Sequence, residues 1–243
     1  MFGFLRRKPP PVKDFGFLQT DMHAHWLPGI DDGAKDLTES LALIQRFVAL
    51  GYRKLIATPH VMADLYPNSP AIILEKLELV REAVISSGIE IELSAAAEYL
   101  IDEGFTDLLQ HDNLLTLPGN RILIEFSFVS MPANFAQVLF TAQAKGYQVV
   151  LAHPERYSYL HDKPEQLRKL VAKGVELQIN TLSLTDHYGT AVRKVAAQLL
   201  NEGIVKWLGS DAHRMDHLDK MGRFSRQTDR EIVLRGKWHN SQL

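Results

Sequence analysis

The segment Asp21-Met22-His23-Ala24-His25 places two imidazoles two residues apart. On an extended strand those side chains share a face, so both can reach one cation, and imidazole nitrogen suits Zn, Mn or Fe. Alone, a His-x-His pair says little; its weight comes from similar residues further along the chain. Ala57-Thr58-Pro59-His60, Ala95-Ala96-Ala97-Glu98 and Leu151-Ala152-His153-Pro154-Glu155-Arg156 each carry a metal-compatible side chain out of a small or apolar run. Gly209-Ser210-Asp211-Ala212-His213 supplies another i, i+2 pair. In Ile122-Leu123-Ile124-Glu125-Phe126 an acid sits inside apolar sequence. An unpaired carboxylate buried there would cost several kcal/mol, so a partner cation is expected. Any one of these residues reads equally well as a satisfied polar group at a strand end. Together they read as a cage for cations.

Such a cage needs elements that end at one place. Helical patterns stop at Gly51, Gly88, Gly146, Gly174 and Gly203, and a short β-branched or apolar run comes after each: Lys54–Ala57, Ile89–Leu93, Gln148–Leu151, Val175–Ile179 and Ile204–Leu208. Two further runs lie at Phe17–Met22 and Arg121–Phe126. Asp36 with Glu39 predicts a capped helix over Leu37–Leu50, whose Leu37, Leu41, Ile44 and Val48 recur at helical spacing. Ser69-Pro70 predicts the start of a helix through Ile85, and Pro132 and Pro164 are read as the same device. Strands alternating with helices predict an α/β fold with a parallel sheet. An open sheet concentrates its site at one switch point, whereas a barrel collects residues from many strand ends. The scatter of polar strand ends therefore favours a barrel.

The bulk composition excludes several classes. The 243 residues are 46% hydrophobic and 23% charged, the balance of an ordinary globular domain. A net charge of −2 argues against nucleic-acid binding. With no cysteine there is no disulfide, thiolate metal site or thiol nucleophile. Residues 1–14, with Arg6, Arg7 and Lys8 ahead of a Pro run, are read as a mobile tail capable at most of weak contact with an anionic membrane surface. Residues 15–243 are read as one domain, and a cytoplasmic location is expected.

The set His23-x-His25, Asp32-Gly33, Thr58-Pro59-His60, Ala97-Glu98, Ile124-Glu125-Phe126-Ser127, His153-Pro154-Glu155-Arg156 and Ser210-Asp211-Ala212-His213 resembles the PHP (polymerase and histidinol phosphatase) superfamily. Within it, the chain is similar to the bacterial CpsB/YwqE-type protein-tyrosine phosphatases, over roughly Phe17 to His217. The resemblance implies a distorted (β/α)7 barrel and three divalent metal ions, with manganese the first choice and iron or zinc next. It implies that His23, His25, Glu98 and Asp211 hold one ion; Glu98, Glu125 and His153 a second; and Asp32, His60 and His213 a third. Asp31 is the alternative to Asp32.

Three dications bring six positive charges and the four carboxylates return four, leaving a surplus near two that matches a phosphate monoester dianion. A hydroxide held by such ions can attack phosphorus in line, with His153 and Asp211 counted among the catalytic groups. Arg156, just past His153, can fork two phosphate oxygens. Family members carry another functional Arg after Asp-x-His; here Arg214 is the nearest, with Lys220 and Arg223 further on. Tyr66 and Tyr157 are read as rim aromatics, and His111, His161, His187 and His239 as surface residues.

The function expected is metal-dependent hydrolysis of phosphotyrosine on a protein partner, such as the tail of a bacterial tyrosine kinase that controls capsule or exopolysaccharide synthesis. Without a cysteine, metal-activated water is the remaining route to that activity. A small-molecule phosphatase acting on histidinol phosphate is the second reading, and a non-catalytic PHP metal-binding module the third. All nine ligand positions are filled, which disfavours the last.

Overall fold

The computed structural model describes residues 8–243. Nine strands and eight α-helices alternate along them. The strands are β1 (Thr20–Ala24), β2 (Lys54–Ala57), β3 (His60–Val61), β4 (Glu92–Ala95), β5 (Glu98–Leu100), β6 (Arg121–Glu125), β7 (Gln148–Ala152), β8 (Glu176–Asn180) and β9 (Val205–Gly209). All strand pairings are parallel, in two sheets ordered β1-β2-β4 and β3-β5-β6-β7-β8-β9. Thr58-Pro59 separates β2 from β3, and Ala96-Ala97 separates β4 from β5, so each pair is one barrel strand broken by a step. That leaves seven barrel strands. The ring closes where Ala24 bridges Ala212, with Asp211 N–H donating to His23 O at 2.8 Å and His25 N–H to Ala212 O at 3.0 Å. The chain is a distorted (β/α)7 barrel.

The helices arise from local chemistry. Asp36 accepts from the Glu39 N–H at 2.9 Å and starts α1 (Leu37–Ala49). Its buried face is Ser40, Leu43, Ile44 and Phe47, while Val48 is exposed, so the expected stripe is rotated. Aromatic Phe47 packs inward against Tyr52, and the smaller Val48 yields the core position. Ser69 caps α2 (Pro70–Ser86), and α3 (Glu103–Gln110) is capped by Asp102. Pro132 does not begin a helix: α4 spans Phe135–Ala144, and the Pro132 carbonyl accepts from Phe135 in the turn before it. Pro164 opens α5 (Pro164–Ala172), followed by α6 (Thr190–Asn201), α7 (Met215–Lys220) and α8 (Gln227–Arg235). The five punctuating glycines all adopt positive φ. At Gly51 the close approach also matters, since an added Cβ would lie 2.1 Å from the Asp14 carboxylate.

Met22, Ile56, Leu123, Val150 and Trp207 fill the barrel interior, and the large cluster under the helices surrounds it. The C-terminal segment folds back beneath this interior. Asn240, fully buried, accepts from Leu208 N–H and donates to the carbonyls of Thr20 and Leu208, stitching β1 to β9 below the seam. Of the tail expected for residues 1–14, residues 1–7 lie outside the described residues. Within the remainder, Val12 is buried and donates to Gly222 O at 3.0 Å, so the end of that segment packs on the barrel. Among the described residues, no helix is long and apolar enough to cross a membrane.

Candidate metal centre

The C-terminal strand ends meet in one buried polar knot. His23 is the penultimate residue of β1 with His25 just past its end, His60 opens β3, Glu98 opens β5, Glu125 ends β6, and His153, Asp211 and His213 come after β7 and β9. Three groups have ligand atoms close enough to share an ion: His23, His25, Glu98 and Asp211; His60, Glu98 and Glu125; and His25, Asp32, His60 and His213. Glu98 is the hub. Its Oε2 lies 3.1 Å from His23 Nε2, 3.4 Å from His25 Nε2 and 3.1 Å from His60 Nδ1, and its Oε1 lies 2.8 Å from His153 Nε2. The first grouping matches the expected one residue for residue. The second contains His60 where His153 was expected, with His153 on the other Glu98 oxygen, and the third gains His25.

Two observations test whether these residues fit cations. Glu98 Oε2, Glu125 Oε1, Asp211 Oδ1 and His60 Nδ1 are buried with no hydrogen-bond partner, a costly condition unless an ion supplies the missing interaction. Second, the outer nitrogens of three imidazoles are already engaged. His25 Nδ1 donates to Asp31 at 2.8 Å, His23 Nδ1 to Gln178 Oε1 at 2.9 Å and His213 Nδ1 to the Asp211 carbonyl at 2.9 Å. Each bond occupies Nδ1 and leaves Nε2 facing the knot, the nitrogen a metal-bound histidine offers once it has lost its proton. The donor set fits divalent cations.

Asp31 and Asp32 therefore divide two tasks. Asp31 is occupied by His25, His60 N–H and Gly33 N–H, which makes it the orienting carboxylate. Asp32 faces His60 Nε2 at 3.5 Å and His213 Nε2 at 3.4 Å. Gly33 is needed because an added Cβ would lie 2.0 Å from the His25 carbonyl. From β8, Gln178 Nε2 donates to Asn180 Oδ1 at 2.9 Å, and Asn180 Nδ2 donates to Asp211 Oδ2 at 2.6 Å. This chain links His23 to Asp211 through two residues that sequence reasoning missed. Their spacing, Gln178-x-Asn180 on one strand face, was the available signal. His153 and Asp211 adopt left-handed φ of 34° and 52°, strain held at the two positions that turn strand ends inward.

Electrostatics reflects the crowding. Burial opposes charge on His60, but Glu98 and Glu125 outweigh it and lift its pKa to about 10. Burial likewise opposes charge on His25, and Asp31, Asp211 and Glu98 hold it well above the usual imidazole range. Against the same penalty, His23 and its neighbours hold Glu98 and Asp211 well below the usual carboxylate range. Asp21, beneath the knot, is pushed up to about 6 by burial although Ser210 donates to it from both backbone and hydroxyl.

A cavity of about 270 Å³ opens over the knot, lined by Asp32, His60, Glu125, His153, Asp211 and His213 with Arg156 at its edge. Arg156 Nη1 donates to Asp211 Oδ2 at 2.7 Å, and its guanidinium lies between the rings of Phe128 (4.9 Å) and Tyr188 (4.5 Å). Tyr66 stacks on His60 at 5.7 Å and Phe128 on His153 at 6.1 Å, so aromatic rings flank both sides of the mouth. Tyr157 is not a rim residue: it is fully buried, donating to Ala152 O and accepting from Phe126 N–H. Arg214 lines a neighbouring cavity rather than this one; Lys220 pairs with Asp216, and Arg223 lies on a groove near Val12. His111 is exposed as expected, whereas His161, His187 and His239 are half-buried.

Comparison with known proteins matches this arrangement. Residues 19–230 match the family model for capsular polysaccharide synthesis, CpsB/CapC. Tyrosine-protein phosphatase YwqE of Bacillus subtilis is 34% identical over 80% of this chain and 77% of its own. CpsB of Streptococcus pneumoniae is 28% identical over 81% and 83%. A solved structure from the work on YwqE and CpsB, described as metal-dependent tyrosine phosphatases, superposes with a TM-score of 0.79 at 31% identity, covering 92% of this chain and 90% of that one. Histidinol phosphate phosphatase of Lactococcus lactis shares the fold at a TM-score of 0.55 and 14% identity, over 90% and 94%. The chain belongs to the CpsB/CapC family of capsular polysaccharide synthesis proteins, within the PHP superfamily of metal-dependent phosphatases.

Proposed function

We propose that this protein is a metal-dependent protein-tyrosine phosphatase whose substrate is a phosphotyrosine segment of a protein partner. The family's tie to capsular polysaccharide synthesis, with the tyrosine phosphatases among its relatives, favours a bacterial tyrosine kinase of capsule or exopolysaccharide synthesis as that partner. A cytoplasmic location goes with such a partner. One observation carries the reading: orphaned carboxylate and imidazole atoms converge beneath a cavity whose edge holds Arg156 and whose mouth is flanked by Tyr66 and Phe128.

His23, His25, Glu98 and Asp211 would hold one cation, His60, Glu98 and Glu125 with His153 a second, and Asp32, His60, His213 and His25 would surround a third. Bound manganese, iron or zinc would supply an acidified water and neutralise charge on the transferring phosphoryl group. Arg156 has guanidinium N–H groups left over after its bond to Asp211, and they can fork phosphate oxygens. The stacked rings of Phe128 and Tyr188 hold that guanidinium in place, so its aim does not depend on substrate. Tyr66 and Phe128 offer apolar faces to an aryl leaving group, which a short alkyl phosphate would leave exposed.

The test compares a phosphotyrosine peptide with histidinol phosphate, using manganese-loaded protein. Preference for the peptide is expected; strong preference for histidinol phosphate would move the protein to the small-molecule phosphatases. Full activity after chelation would refute the metal requirement.

A further inference from the structure

A second cavity, about 520 Å³, lies beside the first and shares Asp32 and His213 with it as a common wall. The Asp32–Lys35 loop, one face of α1 and the start of α7 enclose it, and Ala42, Leu43 and Met215 give it an apolar lining. Its charged groups do not cancel. Asp216 is taken up by Lys220 at 2.6 Å, Glu39 accepts the Lys35 backbone N–H at 3.1 Å, and Asp32 faces His213 and His60. The side chains of Lys35 and Arg214 have no ion pair or hydrogen bond among the described residues, and both are exposed at the cavity. With Asp216 paired to Lys220 and Asp32 assigned to a cation, Glu39 is the one acid left against the two bases, a surplus of one positive charge.

We infer that this cavity seats an anionic side chain neighbouring the phosphorylated tyrosine of the substrate, with Lys35 and Arg214 as its charge partners. The inference rests on the phosphotyrosine reading above. Extended chain advances ~3.3–3.6 Å per residue. A peptide whose phosphorylated residue fills the first cavity therefore crosses the shared wall within a few residues and presents a neighbouring side chain to the second. A small phosphate ester fills the first cavity alone and has no use for the second. The shared chemistry is an anion on a flexible stem, either a carboxylate or a second phosphoryl group.

The experiment measures kcat/KM of the manganese-loaded protein on phosphotyrosine peptides with Glu, Gln or Lys in the flanking position. A fourth peptide carries a non-hydrolysable phosphonate there and separates the two anion sources. One or two screened surface pairs give roughly a three- to tenfold preference for an anionic over the neutral neighbour, carried in KM and shrinking in high salt. In the K35E/R214E double variant the order should reverse toward Lys. Equal kcat/KM for all peptides, or a preference that ignores both salt and charge reversal, overturns the assignment. The wild-type salt dependence decides the matter even if the double variant folds poorly. Turnover of histidinol phosphate with none of any peptide overturns the underlying reading and this inference with it, whereas uniform turnover of every peptide overturns this inference alone.

Discussion

At one end of the barrel, Met22, Ile56, Leu123, Val150 and Trp207 fill the interior with hydrocarbon and one indole; at the other, His23, Glu98, His153 and Asp211 fill the same cross-section with titratable groups. Both ends are almost completely buried. At the floor, Trp207 Nε1 donates to Glu176 at 2.7 Å, and Asn240 satisfies the free backbone groups at the β1/β9 seam. At the rim, the buried ligand atoms Glu98 Oε2, Glu125 Oε1, Asp211 Oδ1 and His60 Nδ1 are left over. The floor is built for stability, while the rim gives stability up so that its atoms stay available to cations.

That contrast can be broken by substitution. The largest effect is expected at the rim: His153→Ala or Asp211→Ala should cut kcat/KM by roughly a thousandfold or more, about 4 kcal/mol of barrier, with loss of bound metal. Metal-free Asp211→Ala should unfold earlier than the metal-free parent, because Arg156 and His23 are left without their partner carboxylate. A folded, metal-loaded and fully active His153→Ala protein would erase the distinction between the two ends.

At the floor, Trp207→Ala should destabilise by about 3–5 kcal/mol, read from denaturant midpoints, while metal content per folded molecule stays unchanged. Between the ends lies Gln178, which touches His23 rather than facing the knot. Gln178→Ala should weaken metal affinity by roughly 10–100-fold with the fold intact, measured by competition with a chelator. An unchanged affinity would mean that the outer chain does not tune the ligands.

The smallest effect sharpens the comparison by pH. With its pKa lifted to about 10, His60 carries a proton at pH 7 in metal-free protein, as does His25. Binding a cation must displace those protons, whereas Glu98 and Asp211, held low, have none to give. Metal loading at pH 7 should thus acidify a weakly buffered solution, and apparent affinity should rise with pH toward 10. The His60 contribution to metal-free stability is complete below its ordinary 6.5 and fades as pH rises through about 10. The Glu98 and Asp211 contributions are present above their ordinary 4.5 and 3.8 and fade as pH falls below them. Loading without proton release would mean the imidazoles are neutral beforehand.

Much of this was legible in order along the chain. The capping Asp36 and Ser69, the helix-ending glycines and the strand runs act through neighbours within a few residues, so their effects are written locally. Other features were not. Pro132 reads like Pro164 in sequence, but only the latter begins a helix. Tyr157 looks like a rim aromatic beside Arg156, yet its hydroxyl is needed at Phe126 and Ala152. Nothing local revealed that the C-terminal segment returns to the floor.

Residue types at strand ends and the spacing His23-x-His25 determined by themselves that a cation cage was on offer, because side-chain chemistry and the two-residue strand period are local properties. Which ligands share an ion, which aspartate orients and which faces inward, and where Arg214 points were decided only by barrel closure. Closure brings Gln178 to His23 across 155 positions and Ser210 to Asp21 across 189. Contacts at such separations are set by how the strands pack and stagger, a property of the whole ring that no segment carries alone.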